Sequence, residues 1–267
     1  MIKTALSSAA MLGATVEQIL DAAQRSGVQA IEWSSDGFLD SGDDTAAGNL
    51  MLKTLKAGLT IASYATLFRA GIHTREEFDR VMSTARSVQA PIIRLWAPPL
   101  QAASYAQIKT ADAEFVDIAR ELGDCAGTHG FTLCFSPARN SVLNSWSRAA
   151  VLMDTIKHPF IKLAWEPAPD VSFDESMEIF SRISGHVGMV VSRSLAADGT
   201  IHSLCQRDED WSLYLDAFDE QGGAPDMARY IVIRAFKDNC PDNLKSDVDL
   251  INYYSGQLRR YRRRRLL

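Results

Sequence analysis

The chain has 267 residues, 46% of them apolar and 23% charged, close to globular averages of about 45–50% and 25%. That balance excludes a disordered, collagen-like or disulfide-scaffold protein, and the length matches one α/β barrel of roughly 250 residues. The net charge of −5 argues against an electrostatic nucleic-acid binder, although six arginines (Arg259, Arg260, Arg262, Arg263, Arg264 and Arg265) crowd the last residues and leave 22 basic against 33 acidic residues on the rest.

Short β-branched runs alternate with stretches of helical period along the whole chain. The runs predict strands at Ile2–Leu6, Ala30–Trp33, Thr60–Tyr64, Ile92–Trp96, Thr132–Phe135, Ile161–Trp165, Val187–Ser192 and Tyr230–Ala235. Between them, helices are predicted at Thr15–Ser26, Gly48–Ala57, Thr74–Val88, Ala111–His129, Ser145–Ile156, Phe173–Ile183 and Glu209–Glu220, with a last one from Asn243 into the arginines. Thr74 before Arg75-Glu76-Glu77, and Ser172 three residues before Glu175, carry helix-start signatures. Gly27, Gly58, Gly130 and Gly185 stand where helices should stop. Strict alternation of eight strands with eight helices predicts a closed (β/α)8 TIM barrel. No Gly-x-Gly-x-x-Gly follows the first strand, as a dinucleotide fold would require. No long Pro/Gly/Ser linker divides the chain, so residues 1–267 read as one domain with an arginine-rich helix end at about 257–267.

The four cysteines, Cys125, Cys134, Cys205 and Cys240, show no C-x-x-C spacing and read as reduced thiols of a cytoplasmic protein. Near the start, the longest apolar stretch is Ala9–Leu12, far short of a signal core. No run approaches the length of a membrane span.

In such barrels chemistry gathers at the C-terminal ends of the strands. Those ends carry Glu32 and Trp33, Tyr64, Arg94 and Trp96, Ser136 and Arg139, Trp165 and Glu166, Arg193, and Arg234. The tryptophans and Tyr64 have two readings, a lid on the barrel core or a wall for a ligand. The arginines could be solvated rim residues paired with Asp36, Asp40 or Asp170, or together an anion site, with Trp33, Trp96 or Trp165 as its apolar wall. A carboxylate at a barrel mouth needs a partner, which marks Glu32 and Glu166 as site candidates. His202, in the long loop after the seventh strand, is the one histidine placed to reach the mouth.

The stretches Gly-Val-Gln-Ala-Ile-Glu-Trp (27–33), Gly-Leu-Thr-Ile-Ala-Ser-Tyr (58–64) and Ala-Pro-Ile-Ile-Arg-Leu-Trp-Ala (90–97) resemble the xylose isomerase-like TIM barrels, and within them the sugar phosphate isomerase/epimerase group. His158-Pro159, Trp165-Glu166-Pro167 and Phe236-Lys237-Asp238 continue the likeness. The resemblance implies a sugar or sugar phosphate substrate and a divalent metal at the mouth, held by acidic and histidine side chains on strands five to eight. Here those positions read Ser136, Ser192-Arg193 and Arg234, with Glu166 the carboxylate retained, so the expected cofactor is none and the metal site reads as lost. Two functions follow. One is a catalytically degenerate barrel binding a small anionic or sugar-like ligand, such as a sugar acid or sugar phosphate. The other is an active isomerase, epimerase or related lyase using Glu32 or Glu166 for proton transfer. The expected partner is a small molecule, with a homo-oligomer left open and neither membrane nor nucleic acid expected.

Overall fold

Three glycines turn helices into strands. Gly27, Gly58 and Gly130 all take left-handed backbone angles, with φ of 80°, 75° and 76°, which a side chain would oppose. Each releases the chain directly into the next strand. Gly185 does not share this geometry. It lies inside a short 3-10 turn, Ser184–His186, that carries the chain from a helix into the seventh strand.

A computed structural model gives the structure, which describes residues 2–100, 104–168, 171–193, 195, 198–221 and 229–265, with side chains up to residue 256. The arginine side chains beyond that residue, and Asp170, lie outside the described residues. In chain order the elements are β1 (Ile2–Ser7), α1 (Val16–Ser26), β2 (Ala30–Ser34), α2 (Asp44–Lys56), β3 (Thr60–Arg69), α3 (Arg75–Ser87), β4 (Ile92–Trp96), α4 (Tyr105–Gly127), β5 (Thr132–Ser136), α5 (Trp146–Ile156), β6 (Ile161–Trp165), α6 (Phe173–Ile183), β7 (Val187–Ser192), α7 (Asp208–Glu220), β8 (Arg229–Ile233) and α8 (Pro241–Arg265). Every strand is parallel to its neighbours, and β8 pairs with β1 to close the barrel. The (β/α)8 architecture expected from the alternation is therefore the observed one. No helix among the described residues is long and apolar enough to cross a membrane.

Several element bounds differ from expectation by one or two residues or more, and four of them have a local reason. Helix α4 begins at Tyr105 rather than Ala111 because Ser104 and Gln107 form a reciprocal capping box. Helix α2 begins at Asp44 because the Asp43 side chain caps the Ala46 amide. Helix α8 opens on Pro241, whose missing N–H costs nothing in a first turn. Strand β3 runs on to Arg69, past the rim, where it pairs with Trp96 of β4.

The core has two layers. Between the strands and the helices lies a continuous apolar shell that holds Trp33, Tyr64, Phe78, Phe115, Phe135, Trp165, Phe180, Trp211, Tyr214 and Phe218. A second cluster, mostly of small side chains, joins Ala5, Ala30, Ala62, Ile92, Cys134, Ala164, Met189, Val191, Tyr230 and Val232. Successive strand residues point to opposite faces, so one cluster takes one parity and the other takes the second. Ile161, Leu163 and Trp165 of β6 belong to the outer shell, while Ala164 belongs to the inner cluster.

Candidate active site

Parity carries the inner cluster directly into the mouth. Two residues beyond Ile92 stands Arg94, beyond Cys134 Ser136, beyond Ala164 Glu166, beyond Val191 Arg193, and beyond Val232 Arg234. These side chains surround a cavity of about 630 Å3, within the usual range of small-ligand sites, about 300–1,000 Å3. Its floor includes Ala164 and Val191, and its walls include Trp96, Arg139, Leu143, Trp146, Val171 and Ile179. Helix α5 begins at this wall, with Asn144, Ser145, Trp146 and Ser147 in the lining. Its N-terminal amides and dipole favour negative charge there.

Below the cavity sits a sealed ion pair. Glu32 is fully buried, and its carboxylate accepts four hydrogen bonds. Ser7 Oγ donates at 2.8 Å, Ser63 Oγ at 2.7 Å, Arg94 Nε at 3.0 Å and Arg94 Nη2 at 2.8 Å. Burial alone would push the carboxyl upward, but the Arg94 guanidinium and the two serine hydroxyls outweigh it and hold Glu32 below the ordinary carboxylate range. Arg94 is likewise opposed by burial and more strongly favoured by Glu32. Its remaining nitrogen, Nη1, donates to Ser136 Oγ at 3.3 Å.

Above that pair the remaining charges face the cavity. Arg193 Nε donates to Glu166 Oε1 at 2.6 Å, and Nη2 stands 2.6 Å from the same oxygen as an ion-pair contact. Oε2 of Glu166 accepts no hydrogen bond from the described residues. The Arg234 side chain, half-buried, donates none to them either and forms no ion pair with them, while its backbone N–H donates to the Ser192 carbonyl at 3.1 Å. Burial, then the Arg94 charge, then that of Arg193 push its pKa downward, with Glu166 and Glu32 partly offsetting them. Asp36 and Asp40 pair with none of Arg94, Arg193 or Arg234.

The structure thus gathers Arg94, Trp96, Ser136, Arg139, Glu166, Arg193 and Arg234 around one cavity, and leaves five sequence candidates outside its lining. Glu32 lies beneath it. Trp33 points between β2 and α2, where Nε1 donates to Thr54 Oγ1 at 3.1 Å. Trp165 packs edge-on against Phe180 and Tyr214 in the outer shell. Tyr64 is buried in the same shell and donates to the Leu39 carbonyl at 2.8 Å. Trp33 and Trp165 have the parity of the helix-facing side, and Tyr64, two residues after the inner Ala62, reaches that side past the register shift between β2 and β3. The expectation that these three wall the ligand is thereby corrected: none of them lines the cavity. His202 pairs with Gln206 Oε1 at 3.1 Å in the loop beyond β7. Trp146 is the wall residue that sequence reading missed. Its signal was present, a large aromatic directly after the cap residue Ser145, at the start of the helix that follows β5.

No protein-family model matches this chain. No curated protein matches it either. Solved structures do, over nearly the whole length. The probable 3-DHS dehydratase AsbF of Bacillus anthracis, involved in petrobactin synthesis, superposes with a TM-score of 0.74 at 13% identity, covering 94% of this chain and 98% of that one. The likeness is one of fold, the closed (β/α)8 barrel. A xylose isomerase domain protein from Planctomyces limnophilus gives 0.69 at 16% identity, with 96% of each chain covered. The IolI protein with a bound zinc atom gives 0.69 at 13% identity, covering 94% of this chain and 99% of that one.

The zinc in IolI raises the question of a metal at this mouth, and the donor set here does not fit one. Ser136 Oγ receives a hydrogen bond from Arg94, and Glu166 is tied to Arg193. Ser192 Oγ faces the Val232 carbonyl at 3.5 Å. Arg234 brings a positive charge to the fourth position. Among the described residues, no three His, Cys, Asp or Glu side chains cluster to hold an ion, and a hard or transition cation needs several such ligands.

Proposed function

We propose that this xylose isomerase-like barrel is a divergent member that binds a small anionic or sugar-like ligand at its mouth without a divalent metal. Arg234 carries the reading. A half-buried guanidinium with two other guanidiniums nearby and no hydrogen-bond partner among the described residues is stabilised by an anion that bridges them. The α5 N-terminus at the same wall adds to the positive field. Calorimetry with phosphate, gluconate and glucose tests this. An anion should bind more tightly than glucose, and Arg193→Ala with Arg234→Ala together should abolish that binding. Glucose binding as well as the anions, or an unchanged anion affinity in the double variant, refutes it. A stoichiometric divalent metal retained after dialysis would refute the metal-free part.

A second reading, an active sugar isomerase, epimerase or related lyase, draws on the open Oε2 of Glu166 as a proton acceptor. Glu32 fits such a role poorly, because its carboxylate is sealed by four donors. Deuterium appearing at a sugar carbon in heavy water, and lost with Glu166→Gln, would support this second reading.

A further inference from the structure

The cavity combines an anion seat with a separate acceptor. Four guanidiniums, on Arg94, Arg139, Arg193 and Arg234, lie around or under it with three carboxylates, Glu32, Glu166 and Glu175. Among the described residues the balance is one positive charge, and the arginine whose side chain makes no hydrogen bond or ion pair with them is Arg234. One ligand carboxylate neutralises that excess. A phosphomonoester, a dianion above about pH 6, exceeds it.

Glu166 supplies the second half. Both Arg193 contacts go to Oε1, so Oε2 is left open on the cavity side. An ionised carboxylate only accepts hydrogen bonds. It therefore repels a second anionic group and selects a donor. With Arg234 and Arg193 beside it, a neutral hydroxyl is favoured over an ammonium. Trp96 and Trp146 supply aromatic faces in the same lining, suited to the C–H side of a polyol chain.

We infer that the ligand is a hydroxycarboxylate monoanion, its carboxylate seated at Arg234 beside the Arg94–Ser136 edge and a neighbouring hydroxyl donated to Glu166 Oε2. This rests on the anion-binding reading above and narrows it. Glu32 acts here as a positioning residue, since its two bonds to Arg94 fix which guanidinium edge faces upward.

Calorimetry with four probes on the full-length chain separates the two readings. Gluconate carries both groups, hexanoate the carboxylate alone, glucose 6-phosphate a dianion with hydroxyls, and glucose the hydroxyls alone. Gluconate should bind tightest at pH 8, exceeding hexanoate by about tenfold or more, the scale of one hydrogen bond to a charged group. Glu166→Gln should remove that advantage and leave hexanoate bound at least as well, because Arg193 is then freed for the anion. If hexanoate matches gluconate, or glucose 6-phosphate exceeds it, the hydroxycarboxylate inference fails while the anion site stands. If Glu166→Gln weakens gluconate and hexanoate equally, the assigned role of Glu166 fails. If glucose matches gluconate, or none of the four binds, both readings fail.

Discussion

Replacing Glu32 by glutamine tests the sealed pair beneath the cavity. The shape and both serine contacts are nearly preserved, but Arg94, only 5% exposed, keeps its charge with no counter-charge in contact. Removing one partner of a buried ion pair costs about 3–5 kcal/mol, mostly from the charge left behind. At about 2.1 cal/mol/K of unfolding entropy per residue, a chain of 267 residues has roughly 0.6 kcal/mol/K, so the melting temperature should fall by roughly 5–9 °C. Differential scanning calorimetry and urea unfolding followed by circular dichroism both read this. The double variant Glu32→Gln with Arg94→Met should recover part of the loss, because the uncompensated charge has gone. A single variant within about 1 kcal/mol of the parent, well under the buried-pair range, or a double variant less stable than the single one, would refute the reasoning.

The same carboxylate sets an acid limit. Glu32 has a folded pKa below its unfolded value of about 4.3, so its contribution is fully present above that pH and is lost as pH falls through the folded pKa. The stability gap between the parent and Glu32→Gln should stay constant from pH 8 to about 5 and close only below about 4; a gap that widens on acidification contradicts the assignment. Gly188→Ala should destabilise by about 1–3 kcal/mol through overpacking, since its Cβ would stand 2.7 Å from Cys134 Sγ and 2.8 Å from Lys162 Cβ. Wild-type stability in urea unfolding would show room that those distances deny. Deleting residues 259–267 should leave the melting temperature unchanged and reveal no low-salt retention of DNA or RNA by the full chain. Retention that the deletion abolishes would mark the arginine run as a polyanion contact.

The fold was legible because its unit repeats. Apolar runs predicted the strands, glycine joints marked the entries to β2, β3 and β5, and β4, β6 and β7 fall on the expected residues. The missed helix starts were local chemistry that periodicity ignores, such as the Ser104–Gln107 box and the Asp43 cap. At the site, choosing residues by strand end alone found the arginines, Ser136 and Glu166, but mixed the two faces of each strand. Trp165 follows Ile161 and Leu163 in parity, and Trp33 follows Ile31, so both were readable as helix-facing. The burial of Glu32 was not readable in the same way. It depends on a register shift between β2 and β3 that sets Ser63 beside it, and on the reach of Arg94 from two strands away.

The two-layered core has an evolutionary consequence. The outer aromatic shell glues helices to strands without entering the mouth, so Arg139, Arg193 and Arg234 can be exchanged one at a time, altering what the cavity accepts at little risk to folding. Arg94 is different. It serves the cavity with one edge and neutralises Glu32 with the other, so a lineage that changes ligand through Arg94 must change position 32 in the same stroke or pass through a weakened intermediate. Drift in ligand preference should therefore run along β7 and β8 and the loop after β5, while positions 32 and 94 change together or not at all.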